Sequence, residues 1–192
     1  MNKILRIFFI SITVAACSSK DFDNPHVLID TEFGEIELEL YPDKAPATVQ
    51  AFLQNVSQGN YKQSAFYRVL KAEDMPANVN VGLIQGGMYK SGKSAQVKGI
   101  PHETTQRSGL SHTDGTLSMA RTEPGTATTE FFICIGDQSP LDSGRRGTPD
   151  GLGMAAFGKV LKGMGVVRRI QAQDNNGDAF KNDVTIKNIK RL

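Results

Sequence analysis

The segment ATTEFFICIGD, residues 127–137, decides the fold of this chain. A strand with one face in water alternates apolar and polar residues, but residues 131–135 are all apolar. Both faces of this strand are therefore predicted to be covered. Because side chains repeat every second residue along a strand, Glu130 shares a face with Phe132 and Cys134. We expect one face to fill a core and the other, which carries the carboxylate, to line a binding groove.

The rest of the chain predicts a single, mainly β domain over residues 26–192. The 192 residues, 39% of them hydrophobic, are enough for one domain with a core. Short apolar or alternating segments bounded by turn residues predict strands in 26–31, 35–40, 64–70, 79–85, 115–120, 131–135, 154–161 and 183–192. Helical spacing of apolar residues predicts helices only within 45–59 and 164–173. Many short strands with two helices favour a closed or sandwiched β architecture.

The N-terminus has the composition of an export signal. Lys3 and Arg6 precede an apolar run that ends at residue 16, and the run is too short for a permanent membrane span. The sequence VAAC that follows resembles the bacterial lipobox, in which the cysteine becomes the lipidated first residue. We therefore predict a signal peptide over 1–16, a lipid on Cys17 and a flexible tether over 17–25. The alternative is an ordinary signal peptide with a cysteine there by chance.

The predicted lipid sets the expected location of the protein. The chain is expected to be exported and anchored to a membrane through the lipid on Cys17, on the periplasmic side or at the cell surface. Because Ser18 is not aspartate, the similarity to sorted lipoproteins favours the outer membrane if the host is Gram-negative.

The charge balance excludes nucleic-acid binding as the expected function. Removing Lys3 and Arg6 with the signal leaves 20 basic residues against 20 acidic ones, whereas a nucleic-acid binder needs a basic excess. The arginine pairs at 145–146 and 168–169 are interpreted as solvated surface charge. With Cys17 lipidated, Cys134 has no partner for an internal disulfide and is predicted to be a small buried apolar residue.

A phosphate-loop pattern in the sequence is rejected. The segment GMYKSGKS, residues 87–94, matches G-x-x-x-x-G-K-[ST]. That pattern binds phosphate only where a helix begins at its end. Gly99 and Pro101 stand where this helix would run, so we predict a loop and no nucleotide hydrolysis.

The histidines do not indicate a metal site. His26, His102 and His112 lack the spacing of metal ligands and lie in segments that resemble loops. We expect all three to be exposed and to bind no metal. The neighbouring Ser111 and His112 are not interpreted as part of a catalytic triad.

Four separated segments carry the functional signal. They are AFYRVL at 65–70, GLIQGG at 82–87, the pair GTLSMAR and EFFICIGD within 115–137, and AFGKVLKGMGVV at 156–167. In this order they resemble the cyclophilins, which are peptidyl-prolyl cis/trans isomerases, and the resemblance extends over residues 27–192. It implies a closed antiparallel β-barrel of about eight strands with two capping helices. It also implies isomerase activity without a metal or cofactor.

The resemblance assigns roles to individual residues. Arg68 matches the family's catalytic arginine, Phe132 the phenylalanine that lines the proline pocket, and Gln85 the glutamine that holds the substrate backbone. Ala120 and the main chain of Arg121 match the rim that pairs with the peptide. The full set of implied substrate-binding residues is Leu83, Gln85, Ala120, Arg121, Glu130, Phe132, Leu141 and Met154. The implied partners are proline-containing segments of exported proteins, and the chain is expected to be a monomer.

Several positions depart from the family's usual pattern. Glutamine is usual where Glu130 stands, tryptophan where Pro140 stands, histidine where Met154 stands, and asparagine near Arg121. These departures keep a second hypothesis open, in which the chain is a tethered proline-binding or chaperone module with little catalysis. The retention of Arg68, Gln85 and Phe132 opposes that hypothesis.

Glu130 is expected to lie close to Arg68 in the groove. A carboxylate there would hold the guanidinium in place, but it would also compete with substrate for the same hydrogen-bond donors. The two effects oppose each other, so the sequence predicts that Glu130→Gln leaves catalysis intact or raises it.

Overall fold

The structure is a computed structural model that describes residues 22–71 and 81–192 and contains, in those ranges, nine strands and three α-helices. The strands are β1 (His26–Thr31), β2 (Gly34–Leu40), β3 (Ser64–Lys71), β4 (Gly82–Gly87), β5 (Thr116–Met119), β6 (Phe131–Ile135), β7 (Ala155–Lys162), β8 (Asn175–Asn176) and β9 (Ala179–Arg191). The α-helices are α1 (Pro46–Ser57), α2 (Thr105–Ser108) and α3 (Met164–Gln171).

Eight of the strands form a closed antiparallel barrel. Around the barrel they follow the order β1, β2, β7, β5, β6, β4, β3 and β9, and β9 pairs back with β1 to close it. The short β8 pairs only with β9 and forms a hairpin outside the closed ring. The predicted fold class is therefore confirmed, although the sequence did not predict the β8–β9 hairpin.

The barrel interior is apolar and rich in aromatic side chains. Phe131 lies at its centre, with ring centroids 5.6 Å from Phe52, 5.6 Å from Tyr61 and 5.8 Å from Phe66, all close to edge-to-face. Helix α1 packs against β9 and β7, whereas α3 packs against β2 and β4. The two predicted helices thus cap the barrel, and each contributes apolar residues to its core.

A distant carboxylate caps the start of α1. Residue Ala45 precedes the helix and offers no capping side chain. Instead, Glu103 accepts hydrogen bonds from the backbone N–H of Ala47 at 3.2 Å and of Thr48 at 2.9 Å, and from the Thr48 hydroxyl at 2.7 Å. Glu103 is itself buried. This contact joins residues more than fifty positions apart and stabilises the helix N-terminus.

The rejected phosphate loop folds as the sequence analysis expects. Strand β4 ends at Gly87, and two short 3-10 turns follow at Tyr89–Ser91 and Lys93–Gln96. Within the described part of this segment no α-helix begins, so the backbone does not form the helix N-terminus that a phosphate loop requires.

The last residues of the predicted tether belong to the folded domain. The ring of Phe22 stacks on His26 with centroids 3.8 Å apart, and the Asn24 amide donates to Glu39 at 3.1 Å. The Pro25 carbonyl accepts from the N–H of Leu40 at 3.0 Å. The end of the segment predicted as a tether therefore contacts β1 and β2.

The predicted signal peptide, the lipidation site Cys17 and the first part of the tether lie outside the described residues, as do residues 72–80. Among residues 22–71 and 81–192, no helix has both the length and the apolarity needed to cross a membrane.

Candidate active site

The two faces of β6 belong to two different apolar clusters. Phe131, Ile133 and Ile135 lie in the barrel interior. Phe132 and Cys134 point the other way and form a small cluster with Leu83 outside the barrel wall. The strand phase predicted from residues 131–135 is confirmed, and it explains why the segment has no polar position.

A groove of about 800 Å³ lies over this second cluster. It is lined by all nine predicted site residues, which are Arg68, Leu83, Gln85, Ala120, Arg121, Glu130, Phe132, Leu141 and Met154. Tyr67, Tyr89 and Asp178 are among the other lining residues, which were not predicted from the sequence.

A bulge in β3 brings Arg68 to the groove. The pairing register of β3 with both β4 and β9 shifts between Phe66 and Arg68. Phe66 and Val69 are buried in the barrel interior, so Tyr67 and Arg68 both face outward as neighbours. Strict alternation would have placed Arg68 on the same side as Phe66. A bulge redirects side chains in this way, and here it brings Arg68 to the outer side beside Tyr67.

The guanidinium of Arg68 is held from two sides. Its Nε donates to the Asp178 carboxylate at 2.7 Å, and its Nη1 donates to Gln85 Oε1 at 3.1 Å. The Arg68 side chain is 39% exposed, and the described residues form no hydrogen bond with Nη2. Arg68 also lowers the pKa of Asp178 through hydrogen bonding and its charge. The geometry fixes the guanidinium plane while one amino group stays available to a ligand.

Glu130 does not contact Arg68, and the expectation that the two would pair is wrong. Its Oε2 accepts from the Tyr67 hydroxyl at 2.7 Å, and its Oε1 accepts from the Thr129 hydroxyl at 2.8 Å and the Met88 N–H at 2.8 Å. The bulge places Tyr67 between the two residues. Asp178, which follows the short β8, takes the position next to Arg68 instead.

The side chain of Arg121 supports the groove from behind. It is only 2% exposed and forms a two-pronged ion pair with Asp150, at 2.8 and 3.0 Å. It also donates to the Gly153 carbonyl at 2.6 Å. Arg121 thus fastens the loop at 143–153 beside the groove, while Met154, the next residue after that loop, packs on the Phe132 cluster.

A buried histidine, His112, packs beneath Phe132, which forms the floor of the groove. The His112 ring lies 6.0 Å from the Phe132 ring at an interplanar angle of 14°. Its Nδ1 lies 2.6 Å from the Asp142 carboxylate and its Nε2 lies 2.9 Å from the Ser118 hydroxyl. Because the ring stacks on Phe132 and Asp142 follows Leu141 directly, this network supports the floor and one wall of the groove. Ser118 is fully buried, so it cannot act as a nucleophile on a substrate in the groove.

The prediction that the three histidines are exposed is wrong for His26 and His112, which are buried, and His102 is only partly exposed. His112 is 0% exposed and His26 is 9% exposed. His26 lies in β1, at the start of the strand predicted over 26–31, and contacts Glu37 at 3.0 Å. His26 contacts Glu37 on the paired strand β2, and His112 contacts Asp142, which is 30 positions away; local composition reveals neither partner. Among the described residues, no group of His, Cys, Asp and Glu side chains is arranged to hold a metal ion.

We expect His112 to make stability depend on pH. Burial lowers the pKa of His112 below its ordinary value of 6.5, although Asp142 opposes the shift. As the pH falls below 6.5, the unfolded chain therefore binds more protons than the folded chain, and stability decreases by up to about 1.4 kcal/mol per pH unit. Urea denaturation between pH 7.5 and 5 measures this slope. His112→Asn should flatten it, and an unchanged slope in that variant would contradict the assignment.

The cysteine in β6 behaves as predicted. Cys134 is 0% exposed and lies in the Phe132 cluster. Burial raises the pKa of its thiol far above the usual range, which keeps it protonated and unreactive.

Comparison with known proteins agrees with this geometry. Residues 26–191 match the family described as cyclophilin type peptidyl-prolyl cis-trans isomerase/CLD. The chain is 35% identical over 175 residues to peptidyl-prolyl cis-trans isomerase A of Dickeya dadantii, covering 90% of this chain and 85% of that relative. It is 35% identical over 170 residues to peptidyl-prolyl cis-trans isomerase B of Escherichia coli, covering 85% of this chain and 97% of that relative.

Solved structures share the fold. A crystal structure of a Cryptosporidium parvum cyclophilin type peptidyl-prolyl cis-trans isomerase superposes with a TM-score of 0.70, covering 88% of this chain and 98% of that chain at 21% identity. A second structure of the same protein, obtained in the presence of the dipeptide Ala-Pro, has a TM-score of 0.69. The barrel topology, the groove over β6 and the match across residues 26–191 lead to one conclusion: this chain belongs to the cyclophilin-type peptidyl-prolyl cis-trans isomerase family.

Proposed function

We propose that this peptidyl-prolyl cis/trans isomerase uses Arg68 as its catalytic residue. The observation that carries the proposal is a guanidinium fixed by Asp178 and Gln85 beside an apolar pocket. Rotation about an X-Pro bond is slow because twisting breaks the C–N resonance, at a cost of about 20 kcal/mol. In the twisted state the proline nitrogen regains its lone pair. A donor placed at that nitrogen stabilises the twisted state more than either planar state and so lowers the barrier.

The apolar pocket is the proposed site for the proline ring. Phe132 is its floor, and Leu83, Leu141 and Met154 pack around it. A ring seated there would bring its nitrogen toward Arg68, and Gln85 would hold the adjacent substrate backbone. The structure of the Cryptosporidium parvum relative obtained with Ala-Pro supports a proline-containing ligand class. No step of this mechanism requires a covalent intermediate, a metal or a cofactor.

The second candidate function is a proline-peptide-binding or chaperone module with little turnover. Glu130, Pro140 and Met154 favour it because they replace residues that are usual in the family. A prolyl-peptide isomerisation assay on the chain separates the two functions. A rate equal to the uncatalysed one, with the peptide still bound, would favour the binding module.

We propose further that the chain acts on exported proteins and is tethered to a membrane. The support is the sequence at the N-terminus, where VAAC resembles a lipobox and Ser18 follows the cysteine. On this proposal a lipid on Cys17 holds the barrel at the membrane surface, at the outer membrane in a Gram-negative host. The clients are then proline-containing segments of newly exported chains, and the domain works as a monomer.

The anchor proposal predicts a simple labelling result. Cells grown with a labelled fatty acid should incorporate the label into the unmodified chain but not into a Cys17→Ser variant, because only the thiol accepts the lipid. The variant should also leave the membrane fraction on cell lysis. Cys134→Ser is the matched control and should keep the label. Label retained in the Cys17→Ser chain would rule the proposal out.

A further inference from the structure

Four side chains form a hydrogen-bonded relay from Glu130 to Arg68. Glu130 Oε2 accepts from Tyr67 at 2.7 Å, the Tyr67 oxygen accepts from Gln85 Nε2 at 2.8 Å, and Gln85 Oε1 accepts from Arg68 Nη1 at 3.1 Å. We propose that Glu130 and Tyr67 are positioning residues that set the orientation of the Gln85 amide and, through it, of Arg68. This inference rests on the proposed catalytic role of Arg68.

The direction of the relay follows from the chemistry of its first member. An ionised carboxylate only accepts hydrogen bonds, and a tyrosine hydroxyl has one proton to donate. Tyr67 donates that proton to Glu130, so its oxygen can only accept from its other neighbour. The Gln85 amide nitrogen satisfies it, and the Gln85 carbonyl oxygen must then face Arg68. The Glu130 carboxylate thus determines that the Gln85 carbonyl oxygen, and not its amide nitrogen, faces the Arg68 guanidinium.

The carboxylate of Glu130 is held by several hydrogen-bond donors and is not free at the edge of the groove. Burial raises its pKa, while hydrogen bonds from Tyr67, Thr129 and the backbone of Met88 and Tyr89 oppose that effect and favour the charged form. Gly87 makes room for it, because a Cβ atom there would lie 2.6 Å from Glu130 Oε2. A side chain held by this many donors has a defined position from which it can orient its neighbour.

A glutamine in place of Glu130 would reverse the relay. The fixed N–H of Met88, now 2.8 Å from Oε1, would retain the amide oxygen and leave the amide nitrogen facing Tyr67. Tyr67 would then accept from position 130 and donate to Gln85, whose amide would turn its nitrogen toward Arg68. Two donors facing each other form no hydrogen bond. This replaces the sequence-based expectation that Glu130→Gln leaves catalysis intact or raises it.

The relay predicts a specific pattern in a double-mutant cycle. Glu130→Gln should lower kcat about tenfold with KM little changed, since Arg68 acts on the twisted state rather than on substrate binding. Tyr67→Phe should lower kcat about threefold, because it frees the Gln85 amide without reversing it. In the Tyr67→Phe background, Glu130→Gln should cause no further loss.

A matched control separates positioning from general stability. Glu103 is also a buried carboxylate that accepts backbone and hydroxyl hydrogen bonds, but it caps α1 outside the groove. Glu103→Gln should lower the melting temperature and leave kcat unchanged. Glu130→Gln should instead lower kcat and leave the melting temperature nearly unchanged. The side-chain amide protons of Gln85 give a spectroscopic readout, with nuclear Overhauser contacts to the Tyr67 ring in the unmodified chain and loss of those contacts in Glu130→Gln.

Each outcome decides the proposal. A Glu130→Gln enzyme with unchanged kcat, or one with the same loss in both backgrounds, would overturn the relay. If Glu130→Gln did not fold, Tyr67→Phe would decide alone, and an unchanged kcat in that variant would overturn it. Arg68→Ala distinguishes this failure from failure of the proposed function. If Arg68→Ala loses most of its kcat while Glu130→Gln keeps its kcat unchanged, only the relay is refuted. If Arg68→Ala keeps its kcat, the catalytic assignment itself is refuted.

Discussion

Replacing Arg68 with alanine should lower kcat/KM at least a hundredfold, the largest catalytic effect that we expect from any groove residue. The loss corresponds to about 2.7 kcal/mol of transition-state stabilisation. The reason is geometric, because Asp178 and Gln85 accept from two of the guanidinium nitrogens and leave Nη2 to meet the twisted proline nitrogen. A protease-coupled or exchange-based isomerisation assay with a prolyl peptide measures the effect.

The Arg68→Ala variant should remain folded. Its side chain is 39% exposed and pairs with an exposed carboxylate, and such surface pairs contribute little to stability. Arg169→Ala is a suitable control, because Arg169 is an exposed arginine that contacts the Phe33 carbonyl outside the groove. Both variants should melt close to the unmodified chain, and only Arg68→Ala should lose activity. A variant without Arg68 that kept most of its rate would refute the catalytic assignment.

Phe131→Ala should reduce the free energy of unfolding by about 4 kcal/mol, the largest stability effect that we expect. Its ring is 0% exposed and meets the rings of Phe52, Tyr61 and Phe66 in the barrel interior. Truncation of a phenylalanine in such a site removes its apolar contacts and leaves a cavity. Urea denaturation followed by circular dichroism measures the change.

The adjacent Phe132→Ala change tests the two-faced strand directly. Phe132 lies outside the barrel wall at the floor of the groove, so its removal should raise KM for a prolyl peptide about tenfold and destabilise the chain less than Phe131→Ala does. If Phe131→Ala impaired substrate binding while Phe132→Ala mainly impaired folding, the assignment of the two faces would be wrong.

Local patterns in the sequence predicted the parts of the fold that depend on neighbouring residues. The run at 131–135 indicated a strand covered on both sides, and the interior and groove clusters confirm it. The helix at 46–57 followed from apolar spacing, with Pro46 at its start and Gly59 after its end. The resemblance to the cyclophilins indicated nine site residues, and all nine line one groove.

The features that the sequence did not predict depend on contacts between distant residues. The bulge at Tyr67 arises from pairing with β4 and β9, which no local pattern encodes. Asp178 reaches Arg68 across 110 positions, and His112 reaches Asp142 across 30. For this reason the sequence indicated Glu130 as the carboxylate near Arg68, whereas in the folded barrel Asp178 is the carboxylate that contacts Arg68.

Exchange spectroscopy on a prolyl peptide tests the central claim most directly, because it reports binding and turnover in the same sample. The account predicts that a catalytic amount of the chain makes the cis and trans resonances exchange on a timescale of seconds or faster, against tens to hundreds of seconds without enzyme. It also predicts that Arg68→Ala still shifts the resonances of bound peptide but abolishes the exchange. Peptide that binds the unmodified chain without faster exchange would contradict the account and identify the groove as a binding site alone.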